Sequence, residues 1–240
     1  MRCGMLVTSA AHSLPAPLLC ALLLVGCGRQ QTAASCPEGM VLIPGGSFTA
    51  GVAEPLAGYE QPAHSVELEP YCIDVYEFPN QQGSLPVHSV SWDQAKSSCE
   101  ALGKRLCAAD EWERACRGPQ GWRYAYGAER DQRACNTPWY PSPPPDLAPP
   151  YAPSGRYSRC VSPDGVYDLN GSLSEWVADP WDGSPSPVDQ AAAPGTTLRT
   201  VRGGTMWLQT FYGQDCLSRH GHPPSGTYHD DGFRCCRDAR

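Results

Sequence analysis

Thiols, and imidazoles set beside carboxylates, are the side chains whose spacing here could support chemistry. The chain has 13 cysteines. Three of them, Cys3, Cys20 and Cys27, lie in the first stretch, which leaves Cys36, Cys72, Cys99, Cys107, Cys116, Cys135, Cys160, Cys216, Cys235 and Cys236. None of these forms a C-x-x-C pair, which argues against a zinc ribbon or a thioredoxin-type redox motif. An even set of spread cysteines in an exported chain reads instead as a disulfide framework, with room for five bridges. Adjacent Cys235 and Cys236 cannot easily bond each other, so they are expected on opposite sides of a strand. His220 and His222 flank Gly221, with His229, Asp230 and Asp231 close behind. Imidazoles so placed could hold a transition metal. The plainer reading is exposed histidines in a Gly/Pro loop with no supporting shell in view. Trp139, Tyr140, Trp181 and Trp207 would line a binding groove if exposed and fill the core if not.

These groups need a compartment and a scaffold. Arg2 precedes a short apolar run, Leu18 to Val25, that ends in Leu24, Val25, Gly26 and Cys27. A run of this length followed by small residues is a secretory signal and is too short to span a bilayer. The ending resembles a lipobox, which implies cleavage before Cys27 and a diacylglyceryl thioether on its sulfur. Gly28 follows, with no Asp to suggest inner-membrane retention, so the outer membrane is the expected location. The expected organisation is a signal peptide over 1–26, a lipidated tether over 27–36 and a domain over 37–240. A net charge of −7 argues against nucleic acid as a partner.

The domain is poor in Phe, with 4, and rich in Gly and Pro, with 24 and 25 in the chain. Loops of that composition gain entropy on unfolding, and cross-links offset the gain. Thr137 to Pro153 contains eight prolines and reads as a long loop, as does Asp182 to Thr197. Two helices are expected. Ser91 and Gln94 form a capping box, after which Trp92, Ala95, Cys99 and Leu102 recur on one face and Gly103 ends the helix. The second covers about Ala109 to Arg117, with Asp110 and Glu111 at its positive end, Trp112, Ala115 and Cys116 facing inward and Gly118 as its stop. Short strands are expected at Met40–Ile43, Ser47–Ala50, Ser65–Leu68, Tyr71–Tyr76, Leu198–Arg202 and Gly232–Cys236. The sum is an irregular α+β fold.

Six segments in order resemble the formylglycine-generating enzyme, or sulfatase-modifying factor, family. They are Gly39–Phe48 (GMVLIPGGSF); Pro62–Leu68 (PAHSVEL) with Tyr71–Glu77 (YCIDVYE); Pro86–Trp92 (PVHSVSW); Gly103–Trp112 (GKRLCAADEW); Tyr167–Trp176 (YDLNGSLSEW); and Arg202–Thr205 (RGGT) with Gly232–Arg234 (GFR). The resemblance implies a C-type-lectin-like α+β fold with little regular structure. It also implies the pairs Cys99–Cys235 and Cys116–Cys216, closing loops of about 100 residues or more. For the other six cysteines the expected pairs are Cys36–Cys72, Cys107–Cys236 and Cys135–Cys160.

Asp168, Gly171, Leu173 and Glu175 fall on the family's calcium-loop positions. The carboxylates and two backbone carbonyls would supply hard oxygen ligands. The alternative is a solvated acidic loop whose Trp176 packs in the core. A second family site would use Asn136 and Asp146, across a proline-rich insertion that aligns poorly. Catalysis is where the resemblance breaks. Family enzymes oxidise a substrate cysteine with two active cysteines placed just after the Arg-Gly-Gly-Ser motif, where thiolates can bind copper. Here Thr205 to Asp215 contains no cysteine, and Met206, Trp207, Leu208 and Phe211 stand in that stretch. No catalytic residue and no copper are therefore expected. Three functions follow. The first is a non-catalytic binding or scaffolding domain on a membrane anchor, facing an exported protein or a glycan. The second is a divergent oxidase or nonheme iron enzyme, although the iron-holding histidine domain of the related sulfoxide synthases is absent. The third, by fold analogy alone, is a calcium-dependent sugar binder, and the lectin Glu-Pro-Asn and Trp-Asn-Asp patterns are missing.

Overall fold

A computed structural model describes residues 34–56, 59–137, 151–183, 195–205 and 214–240. They belong to one compact unit, Ala33–Arg240. Cys27, Trp139, Tyr140, Asp146, Trp207 and the rest of the 206–213 stretch lie outside the described residues.

Among the described residues, ten strands form three sheets and two helices pack beside them. The first sheet joins β1 (Met40–Ile43), β4 (Tyr71–Asp74), β10 (Cys235–Asp238) and β5 (Arg105–Leu106) in that order. The second is a hairpin of β2 (Gly46–Ala50) and β3 (His64–Leu68). The third runs β8 (Arg219–His222), β7 (Arg199–Arg202), β6 (Ser174–Pro180) and β9 (Asp231–Phe233). Pairing is antiparallel except between β6 and β9.

Helix α1 (Trp92–Ala101) begins at the expected capping box: Gln94 N donates to Ser91 Oγ, and Ser91 N donates to Gln94 Oε1. Leu102, expected on its inner face, is instead the exposed C-cap, because the helix stops one residue earlier and Gly103 turns the chain at φ 65°. Helix α2 (Ala109–Arg117) buries Trp112, Ala115 and Cys116 as expected, and also Glu111, Glu113 and Arg114. Those charged groups are tolerable inside because each has an opposite charge: Arg105 for Glu111, Arg202 and Arg117 for Glu113, Asp164 for Arg114.

Three strands were not expected. Ser174 to Val177 of β6 are all buried, so the strand shows no alternation. β8 reads as polar loop, RHGH. β5 has two residues, too few for a period. The expected strand Gly232–Cys236 is two strands, β9 and β10, in different sheets, with Arg234 between them.

Two large apolar clusters fill the interior of the described residues, and a third, small one surrounds Cys135 and Cys160. One gathers Ile43, Ile73, Trp112, Leu169 and Val177. The other gathers Trp92, Leu106, Trp176, Val201 and Phe233. Cys107–Cys236 and Cys116–Cys216 lie in the first of the two large clusters and Cys99–Cys235 in the second. The structure joins Cys36 to Cys72, Cys99 to Cys235, Cys107 to Cys236, Cys116 to Cys216 and Cys135 to Cys160. Cys235 and Cys236 thus leave β10 for different partners, one on α1 and one just after β5.

Candidate functional site

Two places concentrate charge next to special backbone, and a third gathers imidazoles. The first is the 168–175 loop. Asp168 has φ 61°, and its Oδ2 accepts from Gly155 N at 2.7 Å. Gly171 has φ 71° and lies so close to the Asn136 carbonyl that a Cβ would come within 2.2 Å of it. Only glycine fits that approach. Leu173 is buried, and its N–H donates to Glu77 Oε1 at 3.2 Å. Glu175 is fully buried. It accepts Arg234 Nε and Nη2 at 2.7 Å each and Trp112 Nε1 at 2.8 Å. Arg234 directs its remaining donors to the carbonyls of Asp74, Val75 and Tyr167.

Glu77 completes this centre and was missed in the sequence, where it ends an apolar strand pattern with nothing to mark it as a partner of a loop almost 100 residues on. Burial, followed by the charges of Asp168 and Glu175, holds Glu77 well above the usual carboxylate range. Burial likewise pushes Asp168 up to about 6. Three carboxylates thus share one guanidinium. On charge the loop fits a divalent cation, which would relieve the excess. Both Glu175 oxygens already hold a donor, so Asp168 with the carbonyls of Gly171 and Leu173 would carry most of the ligation. Bound calcium would supply charge neutralisation and a fixed loop, with Arg234 keeping its grip on Glu175.

The second place is a cleft of about 690 Å³. Its walls come from Pro55, the Glu60–Pro62 turn and His64, the start of α2, the end of β6 with the residues just after it, and one residue each of β7 and β8. Asp110, Asp179, Asp182 and Glu60 line it, against His64 and Arg219. Arg219 pairs with Asp182 at 2.6 Å and stacks its guanidinium 4.7 Å from the Trp181 ring. His64 lies 3.6 Å from Asp110. Asp179 accepts the Ala109 N–H at 2.7 Å, which anchors the N-terminus of α2, and burial raises its carboxyl above the usual range. Trp181 is half-buried, with no hydrogen-bond partner for its Nε1. Of the four aromatics proposed for a groove, it is the one among the described residues, and it lines this cleft. The cleft is a negatively charged trough with one aromatic wall, able to take a cationic or hydroxyl-rich ligand.

The histidine group divides. His229 is exposed beside Asp230, while His220 and His222 are buried with Asp231. The stretch where the resemblance places active cysteines is flanked by Thr205 and by Cys216, which is bonded to Cys116. All ten cysteines of the described residues are in disulfides.

Sheets, staples and site geometry define a disulfide-stapled domain of the formylglycine-generating-enzyme fold. Residues 78–239 match the family described as the sulfatase-modifying factor enzyme 1-like domain, and the chain belongs to that family. Among curated relatives, the mouse protein named inactive C-alpha-formylglycine-generating enzyme 2 is 25% identical, over 100% of this chain and 98% of its own length. The formylglycine-generating enzyme of Thermomonospora curvata is 25% identical over 84% of this chain and 94% of its own length. The serine/threonine-protein kinase pkn1 of Chlamydia caviae is 28% identical over 84% of this chain, but the match covers 38% of the kinase. Among solved structures, CarF superposes with a TM-score of 0.62 at 20% identity, covering 84% of this chain and 98% of that one. PvdO from Pseudomonas aeruginosa gives 0.61 at 22%, covering 83% and 94%. At these identities the superpositions show the fold alone.

Proposed function

We propose that this protein is a lipoprotein, anchored to a membrane through Cys27, whose domain binds a partner and does not oxidise one. The observation that carries the reading is the distribution of thiols. The described cysteines are all in disulfides, and Thr205 to Asp215 contains none. A disulfide in a stable framework resists reduction and offers neither a nucleophile nor a copper ligand.

The acidic cleft is the ligand face. Its carboxylates and the Trp181 ring suit a basic segment of an exported protein: lysine or arginine heads would meet Asp110 and Asp182, and the ring would cover a side-chain stem. A glycan would use the same ring with its hydroxyls on the same carboxylates. Titration of the purified protein with a lysine- and arginine-rich decapeptide tests the choice. Asp182→Asn and Asp110→Asn are each expected to weaken binding about threefold to tenfold, and added salt to weaken it further. A neutral oligosaccharide binding in place of the peptide would make this a glycan site. Peptide binding untouched by both variants would remove the cleft from the account.

A further inference from the structure

β8 places His220 and His222 on one face, two residues apart. The opposite face, at Gly221, is pressed against the Trp181 ring: a Cβ there would lie 2.5 Å from Cγ of that indole. Asp231 opens β9, and its Oδ2 lies 2.6 Å from His222 Nδ1. The two imidazole rings stand 4.6 Å apart between centroids, inclined at 67°. One ligand atom from each of His220, His222 and Asp231 lies within 4.8 Å of the others. The histidines are 6% exposed and Asp231 0%. Trp176 meets His222 edge-on at 5.9 Å, and Tyr228 packs on it at 4.1 Å.

A carboxylate in such a position needs a cation or a full set of donors. The buried carboxylates of Asp74, Glu113 and Glu175 each touch a lysine or an arginine. Among the described residues Asp231 pairs with an imidazole only, and its Oδ1 is buried with no hydrogen-bond partner. Ser174, its register partner on β6, also has a buried, unpartnered hydroxyl.

We propose that His220, His222 and Asp231 bind one divalent transition ion of the zinc type. Two imidazoles and a carboxylate are a donor set for zinc or a neighbouring first-row ion, and zinc sits 2.0–2.2 Å from such atoms. The three ligand atoms need to draw in by less than about an ångström to meet those distances. The indole and phenol supply the apolar wall that such sites carry. Calcium prefers an all-oxygen set, so this site is chemically distinct from the 168–175 loop.

The test uses the full chain without a histidine tag, stripped with chelator and titrated separately with zinc and cobalt(II) chlorides. One zinc per chain is expected to survive desalting, and cobalt is expected to give visible d–d bands that zinc abolishes. His222→Gln and Asp231→Asn should each lower zinc affinity at least about tenfold while the near-ultraviolet circular dichroism keeps its wild-type shape. Copper(II) bound to the wild type gives an answer that needs no variant: pulsed electron spin echo should count two coupled imidazoles. Absence of stoichiometric zinc uptake, uptake unchanged in both variants, or fewer than two coupled imidazoles would overturn the proposal.

Discussion

At Arg234 a fully buried guanidinium meets Glu175 through two bonds of 2.7 Å and ties three carbonyls from two other segments. Removing the cation would leave Glu175, Glu77 and Asp168 buried with no positive charge beside them. Arg234→Met should therefore cost about 3–5 kcal/mol in urea unfolding, against about 1 kcal/mol for Ser91→Ala, which removes the neutral side-chain cap of α1. Equal losses would mean that the ion pair is not what holds this centre. Calcium at the 168–175 loop is proposed on the same charge excess, and its test is thermal. The melting temperature should fall with EGTA and recover with calcium, because a ligand of the native state alone stabilises it by mass action. Asp168→Ala should erase the response. A melting temperature indifferent to both additions counts against the loop as a calcium site. Asp168 and Glu175 were legible in the sequence because a motif surrounds them. Glu77 was not, since only the fold brings it to the loop.

At the scale of elements, legibility tracked local signals. The capping box at Ser91 and the glycine stops at Gly103 and Gly118 are contained in a few consecutive residues, and both helices form where those signals stand. Ser91→Ala should cost about 1 kcal/mol through the lost N-cap. β6 and β8 carry no such signal: one is buried on both faces over Ser174–Val177, and the other presents histidines and arginine to the interior, where Asp231 meets His222 and Asp182 meets Arg219. A strand whose polar residues are paired in space cannot be told from a loop by its period. β9 and β10 read as one strand in the sequence, because five residues in extended conformation give no hint that Arg234 divides two sheets. The staples act at this scale as well. Cys99–Cys235 spans 136 residues between α1 and β10. Cys107–Cys236 still ties nearly the same two points of the chain, so the double variant Cys99→Ser with Cys235→Ser frees only a short loop and should lose about 2–3 kcal/mol by loop entropy. A loss under about 1 kcal/mol, read by the same urea titration, would place the stability of β10 in its sheet partners instead.

For the whole molecule, the family and the disulfide-rich α+β fold were readable from six dispersed motifs, because together they span nearly the whole domain. The anchor remains a proposal that rests on the sequence around Cys27. Among the described residues no helix is long and apolar enough to cross a membrane. Cys27→Ser should release the protein from membranes and abolish incorporation of labelled palmitate, whereas wild-type labelling of that variant would exclude Cys27 as the lipid site. The central claim is that a chain of this family has kept the fold and given up the oxidation. It is tested most directly by incubating the purified, copper-loaded protein under air with a Cys-x-Pro-x-Arg peptide and following the peptide mass. The account predicts that the thiol mass persists at the rate of a copper-only control. Aldehyde formation above that control would contradict it and would make the Cys116–Cys216 pair the first place to look for a reactive sulfur.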